Sequence, residues 1–367
     1  ADLSAATLTF LMNGTTPAGN WSGLFQRGDR VRLRFINAAS NSFYDVRIPG
    51  LKLTVIQADG QDVEPVTVDE FRFGPGETYD VMVEPQDDAY TIFAQSMERS
   101  GYARGTLAVQ QGLIAPVPEP DPPEWLTMKD MMGAMGGGAM GHDMMKMDSM
   151  GQTKMDHSQM SGGMAMDHSM HGMQQGSENP LAKPSSTIRH ARTEYGASVD
   201  QRVDTPSTNL DDPGIGLRNL SQRGLRPQGH RVLTLADLKS IDGVLDDRRP
   251  PARELELHLT GNMERYSWSF DGLEFGKSTP VSLRHNERVR IILQNDTMMT
   301  HPMHLHGMWS ELETDQGELR VRRHTIPVQP AQRISYLTTP HDLGRWAWHC
   351  HLLFHMDAGM FREVVVS

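Results

Sequence analysis

Asp29-Arg-Val-Arg-Leu-Arg-Phe-Ile-Asn37 puts Val31, Leu33 and Phe35 on one side of an extended chain and Arg32 and Arg34 on the other. A period of two predicts a strand with one buried face. The stretch returns 258 residues later as Glu287-Arg-Val-Arg-Ile-Ile-Leu-Gln-Asn295, so the chain reads as two related β-domains. Short β-type runs broken by Gly, Pro, Asn and Asp surround each copy. Within residues 1–112 they are Arg30–Ile36, Leu51–Gln57, Thr78–Glu84 and Tyr90–Gln95; within 253–367 they are Leu255–Thr260, Arg288–Gln294, Arg333–Thr338 and Phe361–Val366. Runs of this length and spacing predict an all-β chain of antiparallel sandwiches.

Residues 113–252 have a different composition. Pro116, Pro118, Pro120, Pro122 and Pro123 favour an extended spacer. Met128–Met173 then holds 15 of the chain's 25 Met residues, with His142, His157, His168 and His171 in a Gly, Ser and Asp background. Lacking other large apolar side chains, this segment cannot offset its ordering entropy and is predicted to be disordered without metal. Glu178–Ala252 carries turn signals such as Asp211-Asp-Pro-Gly214 and one short helical pattern, Leu233–Ile241. It is expected to drape over the domains.

The 367 residues suffice for two or three domains. With 35 Lys+Arg against 46 Asp+Glu, the net charge of −11 argues against a nucleic-acid partner, which wants a basic face. No apolar run approaches the roughly 20 residues that cross a bilayer. Ala1–Thr9 lacks the basic start and apolar stretch of a signal peptide, and no Met opens the chain, so a processed or truncated chain is expected. Cys350 is the one cysteine. It has no internal partner for a disulfide, and its two His neighbours make it a ligand candidate.

Two clusters carry the chemistry: His301-Pro-Met-His-Leu-His306, and His349-Cys-His351 followed by His355 and Met360. Residues i and i+2 of a strand share a face. His304 and His306 therefore project together, as do His349 and His351, while Cys350 points the other way. One short strand thus serves a metal site on each of its sides. A soft thiolate with two imidazoles and a weak axial thioether is the ligand set of a blue-copper electron-transfer centre, and the imidazole pairs suit copper ions that reduce dioxygen. A lone His-x-His arises by chance on surface strands. Six His, one Cys and one Met within 60 residues are a far more specific pattern.

These clusters resemble the two C-terminal copper motifs of the multicopper oxidases, the family of laccases, ascorbate oxidase and cuprous oxidases. Gly261-Asn-Met-Glu-Arg-Tyr-Ser-Trp-Ser-Phe-Asp-Gly272, Asn295-Asp-Thr-Met-Met299, Gly344-Arg-Trp-Ala-Trp-His349, Leu11-Met-Asn-Gly14 and Gly19-Asn-Trp21 extend the resemblance to the periplasmic copper-resistance members. The resemblance implies two cupredoxin-like Greek-key β-sandwich domains. Residues 1–112 would be the copper-free middle domain of the family, and 253–367 its C-terminal domain. The long Met-rich insert separates them.

Carried over by motif, His301, Cys350 and His355 would bind type 1 copper with Met360 axial. His304 would be a type 2 ligand, and His306, His349 and His351 type 3 ligands. In the family an electron enters at type 1 copper and passes through the thiolate residue, here Cys350, to the flanking imidazoles, here His349 and His351. At the trinuclear copper cluster beyond, four electrons reduce dioxygen to water. That cluster takes eight His, half of them from an N-terminal domain. The only His-x-His pairs here are 304/306 and 349/351, and at the repeat offset His301, His304 and His306 become Phe43, Val46 and Ile48. A ligand-bearing N-terminal cupredoxin domain is therefore expected as a missing partner. Without it the chain would hold type 1 copper but not reduce oxygen.

Core filler is the ordinary role of Met, but the 128–173 segment offers no apolar context. Thioethers prefer Cu(I). Met144, Met147, Met155, His157, Met160, Met166, His168, Met170 and His171 read as weak Cu(I) capture sites that raise the local substrate concentration. The leading expectation is a periplasmic enzyme of copper resistance taking Cu(I) and dioxygen as substrates, with some activity on phenols. A laccase-like phenol oxidase and a non-catalytic copper-buffering protein are the alternatives. Met298, Met299, Met303 and Met308 are either rim or core around the first cluster. Glu311, Glu313 and Asp315 are read as an acidic docking patch or a solvated loop. His190, His230, His258, His285, His324 and His341 lack ligand spacing and are expected at the surface or as caps.

Overall fold

The computed structural model describes residues 6–133, 192–241 and 243–367. The predicted Cu(I)-capture residues, Met144 to His171, lie outside the described residues, as does His190.

The first half forms β1 (Trp21–Leu24), β2 (Val31–Ile36), β3 (Tyr44–Arg47), β4 (Leu53–Ala58), β5 (Gln61–Val68), β6 (Glu70–Phe73), β7 (Thr78–Val83), β8 (Ala89–Ser96) and β9 (Tyr102–Ala108). They make two sheets, ordered β1-β9-β8-β3-β6 and β2-β7-β4-β5. The inward faces meet in an aromatic core, where Phe71 packs edge-on against Phe35, Phe73 and Tyr79 at 5.3–5.4 Å. Phe43, Val46 and Ile48, at the positions equivalent to the His cluster, are buried in that core. Apolar side chains there leave no ligand for a metal.

The second half forms β10 (Arg253–Asn262), β11 (Ser267–Phe270), β12 (Val281–Leu283), β13 (Val289–Asn295), β14 (His301–Leu305), β15 (Ser310–Glu313), β16 (Leu319–Arg323), β17 (Thr325–Val328), β18 (Arg333–Thr338), β19 (Gly344–Cys350) and β20 (Phe361–Val366). Its sheets are β11-β10-β13-β18-β15-β16 and β12-β20-β19-β14-β17. All eight predicted runs are strands. The repeat also explains its own divergence. β2 is an edge strand whose side chains alternate as Val-Arg-Leu-Arg-Phe. Its counterpart β13 is central and buried on both faces, and so carries Ile292 and Gln294 on the side that β2 gives to Arg. The connector covers that side: Gln294 Nε2 donates to the Val203 carbonyl at 2.8 Å.

Residues 192–241 run across both halves, bridging Ser207 to Gln332 and Ser240 to Val63. The helix expected at Leu233–Ile241 shortens to one 3-10 turn, Leu235–Asp237. The Asp237 carboxylate accepts from the Thr234 hydroxyl and amide at 2.9 Å and starts the turn. Leu233 and Leu238 are buried, however, and the chain around them pairs with Glu64 and Glu70, so extended backbone takes over.

Buried charges join the halves. Arg323, wholly buried, donates to Asp59 at 2.7 and 3.2 Å, to Glu77 at 2.8 Å and to the Tyr79 hydroxyl at 2.9 Å. Burial, with the neighbouring Asp59, pushes the Glu77 carboxyl up to about 7 against the pull of Arg323.

Candidate metal centre

β14 and β19 are antiparallel neighbours, with Met303 opposite Cys350 and His304 opposite His349. This register decides the site. Alternation along both strands sends His301 and Cys350 to one face, and His304 and His349 to the other.

On the inner face, Cys350 Sγ lies 3.5 Å from His301 Nδ1 and 3.8 Å from His355 Nδ1, and the two imidazole nitrogens are 3.1 Å apart. All three side chains are fully buried. Metal–ligand bonds of about 2.0–2.3 Å meeting at roughly 100–120° around one ion separate its ligands by roughly 3.1–3.8 Å, so the three atoms fit a single thiophilic metal ion. His301 is held by its other nitrogen, 2.7 Å from the Thr297 hydroxyl, which turns Nδ1 toward the sulfur. Burial, then repulsion from His355, holds His301 well below its ordinary value, so its imidazole is neutral.

His355 arrives on the short helix α1 (Leu353–Asp357), which the first half anchors: the Leu353 amide donates to the Ser40 carbonyl at 2.8 Å and the Phe354 amide to Asn41 Oδ1 at 3.2 Å. Past the helix, the Met360 amide donates to the His355 carbonyl and the Cys350 amide to the Met360 carbonyl. Met360, fully buried, is thereby returned beside Cys350. Trp268 stacks on His355 at 4.0 Å and 22° and sets its edge to His301 at 5.2 Å. Tyr266, 38% exposed, meets Trp268 edge-on at 6.1 Å.

The outer face gathers four imidazoles. His304 lies 4.4 Å from His306 and 5.7 Å from both His349 and His351, centroid to centroid. His306 Nε2 and His349 Nε2 are 3.0 Å apart. His304 Nδ1 donates to the His324 carbonyl at 2.7 Å and His349 Nδ1 to the Cys350 carbonyl at 2.9 Å, which leaves both Nε2 lone pairs facing the cluster. Burial, then crowding by the other imidazoles, lowers His304 to about 3 and His349 to about 4. The group opens on a cavity of about 510 Å³ that Met308, Trp309 and His324 also line. Gly76 of the first half seals another side: a Cβ there would sit 2.5 Å from His351 Cδ2.

Several residues stand elsewhere than the sequence reading put them. His258 is buried, 2.6 Å from Asp296 and 3.1 Å from Glu256; burial alone would lower it, but those hydrogen bonds prevail and push it up to about 9. His230 lies against Glu70 at 2.9 Å. His324 is half-buried beside His304. Spacing missed all three because their partners come from other elements. His285 and His341 are exposed. Glu311 and Glu313 form no docking patch: both are buried, Glu311 on Arg288 and Arg322, Glu313 on Arg290. Met303 and Met308 are core, and Met298 is 38% exposed. The reading by ligand spacing also passed over Trp268 and Thr297, although both lie within the stretches that carried the family resemblance.

Residues 3–112 and 248–367 each match the family description "Multicopper oxidase". Copper resistance protein A of Escherichia coli is 51% identical across the whole of this chain, which covers 60% of that protein. Copper resistance protein A of Pseudomonas syringae pv. tomato is 52% identical, again across the whole chain, which covers 61% of it. The chain therefore spans about three fifths of the length of these curated relatives. In fold it superposes on Fet3p, described as a multicopper oxidase that functions in iron import, with a TM-score of 0.55, 13% identity, and 97% of this chain and 58% of that one covered. Two matched halves, a shared β-architecture and a buried Cys-His-His triad backed by four imidazoles agree, and the chain belongs to the multicopper oxidase family.

Proposed function

We propose that this chain is the electron-entry part of a periplasmic copper-resistance oxidase, with Cu(I) and dioxygen as substrates and phenols as secondary donors. The observation that carries the reading is the β19 strand. It presents Cys350 to His301 and His355 on one face and its neighbours His349 and His351 to His304 and His306 on the other. His301, Cys350 and His355, with Met360 axial, would hold type 1 copper. His304 would hold type 2, and His306, His349 and His351 type 3. Bound copper supplies one-electron acceptance at the thiolate and, with the rest of the cluster, the capacity to reduce dioxygen.

The protein's own part is to connect and to exclude water. Cys350 is covalently continuous with both imidazole-bearing neighbours, so the two faces are joined through one stretch of backbone. Burial of the triad under Trp268 keeps solvent from the thiolate. The domain carrying the other half of the imidazoles is proposed as a partner, and the Met/His-rich segment 128–173 as a tether that delivers Cu(I). Copper loading should give an intense blue band that Cys350→Ser abolishes, because a hydroxyl oxygen cannot replace the thiolate bond. Colourless loaded protein with a freely alkylated thiol would overturn the reading.

One observation favours a second reading. The chain contains only two His-x-His pairs, which fits a copper-binding protein without turnover. Oxygen uptake driven by Cu(I), measured on the chain alone and with the proposed ligand-bearing domain supplied, separates the two.

A further inference from the structure

The half of the molecule that offers no copper ligand nonetheless touches the imidazole group at several points, and the contacts converge on one side chain. Asp59 and Gly60, with φ of 50° and 72°, form the two-residue turn between β4 and β5. Asp-Gly suits such a turn because both residues tolerate the left-handed region. The turn drives the Asp59 carboxylate, 2% exposed, into the second half. There it accepts from Arg323 Nε at 2.7 Å and Nη2 at 3.2 Å, and from the backbone amides of His324 and Thr325, each at 3.1 Å. A fifth hydrogen bond, from the Thr78 amide at 3.0 Å, ties it to its own half.

These contacts fix residues 323–325, which enter the edge strand β17. That same backbone holds His304, whose Nδ1 donates to the His324 carbonyl at 2.7 Å and lies 3.1 Å from Thr325 Oγ1. An edge strand has a neighbour on one side only, so Asp59 supplies the restraint that a second strand would. Glu77 and Tyr79 close the other side of Arg323, and Gly76 beside them packs on His351.

We propose that Asp59 is a positioning residue for the outer-face metal site: acting through residues 323–325 it fixes the tautomer and direction of His304, so the ligand-free domain sets that site's affinity. The inference rests on the reading of His304 as a ligand. Loss of an outer partner of a metal-bound imidazole typically weakens metal binding 10–100-fold. The blue site lies on the opposite face of β19 and serves as an internal control.

The test uses the full chain, first loaded with one copper until the blue band saturates and then titrated with Zn(II) by calorimetry. His306→Ala subtracts Zn(II) bound elsewhere. Asp59→Asn should keep the blue band and weaken the subtracted Zn(II) binding by about 10–100-fold. Arg323→Lys, which keeps the charge and loses the fork, should do the same more weakly. Unchanged affinity in a variant that stays blue overturns the proposal. Loss of the blue band in both variants also overturns it, because the clamp would then be a general folding element. A wild-type chain that turns blue but shows no Zn(II) uptake sensitive to His306→Ala sinks the outer-face site itself, and this inference with it.

Discussion

Gly76→Ala separates backbone cost from steric cost at the imidazole group. Gly76 has a φ of +83°, and a Cβ there would stand 2.5 Å from His351 Cδ2, 2.9 Å from Cγ and 3.0 Å from Nε2. Gly28 has a φ of +90° with nothing within 4 Å. Each substitution incurs the left-handed penalty of roughly 1–2 kcal/mol for a residue with a Cβ, a loss of a few degrees in Tm at about 2–4 °C per kcal/mol. Only Gly76→Ala also meets an obstacle. Ordinary contact begins near 3.4 Å, so ring or loop must yield by roughly 0.9 Å, beyond the ~0.5 Å within which a ligand constellation works. Thermal melts and the Zn(II) titration of blue protein read the two effects apart. Gly28→Ala should melt lower with wild-type Zn(II) affinity, whereas Gly76→Ala should melt lower and bind Zn(II) at least about tenfold more weakly. Both should stay blue. Equal Zn(II) affinities in the two variants would refute the claim that the first half shapes this site.

Three shorter predictions complement it. Trp268→Ala should cost about 3–5 kcal/mol in chemical denaturation and lower copper occupancy at the blue site, with Zn(II) affinity unmoved in whatever protein stays blue. The folded-state value of His258, about 9, lies above the unfolded ~6.5. Its contribution, of the order of 3 kcal/mol, is present in full below about pH 6.5 and lost as pH rises through about 9; His258→Gln should flatten the fall in Tm between pH 7 and 10, and an unchanged slope would contradict the assignment. If the chain joined to the proposed ligand-bearing domain consumes oxygen with Cu(I), deleting 128–173 should slow that uptake at low Cu(I); unaltered rates would remove the capture role proposed for the segment.

What the sequence disclosed divides along one physical line. Period-two alternation is a local property, and every strand predicted from it formed, Arg333–Thr338 and Phe361–Val366 to the residue. The Leu233–Ile241 helix failed because its outcome depended on pairing with Glu64 and Glu70, more than 160 residues away. The opposite orientations of Cys350 and its two His neighbours were legible for a related reason: i, i+2 geometry fixes which way Cys350 points, whatever surrounds the strand.

The residues packed behind those side chains were not legible, and the reason is the same. Asp59, Gly76 and Ser40 make their contacts across 266, 275 and 313 positions, with Thr325, His351 and Leu353 respectively. None carries a spacing signal of its own. Glu311 and Glu313 show the converse error. A cluster of acidic residues reads as a solvated surface until the arginines opposite are known, and here Arg288, Arg290 and Arg322 turn it into buried pairing. Removing one partner of such a pair strands a buried charge and costs more than the pair contributed. The same cost attaches to the pairs that cross between the halves, Arg323 with Asp59 and Glu77. Gly76 walls one side of the imidazole cluster and Asp59 restrains the entry to its edge strand, so on the proposed reading the first half contributes to the site without supplying a ligand.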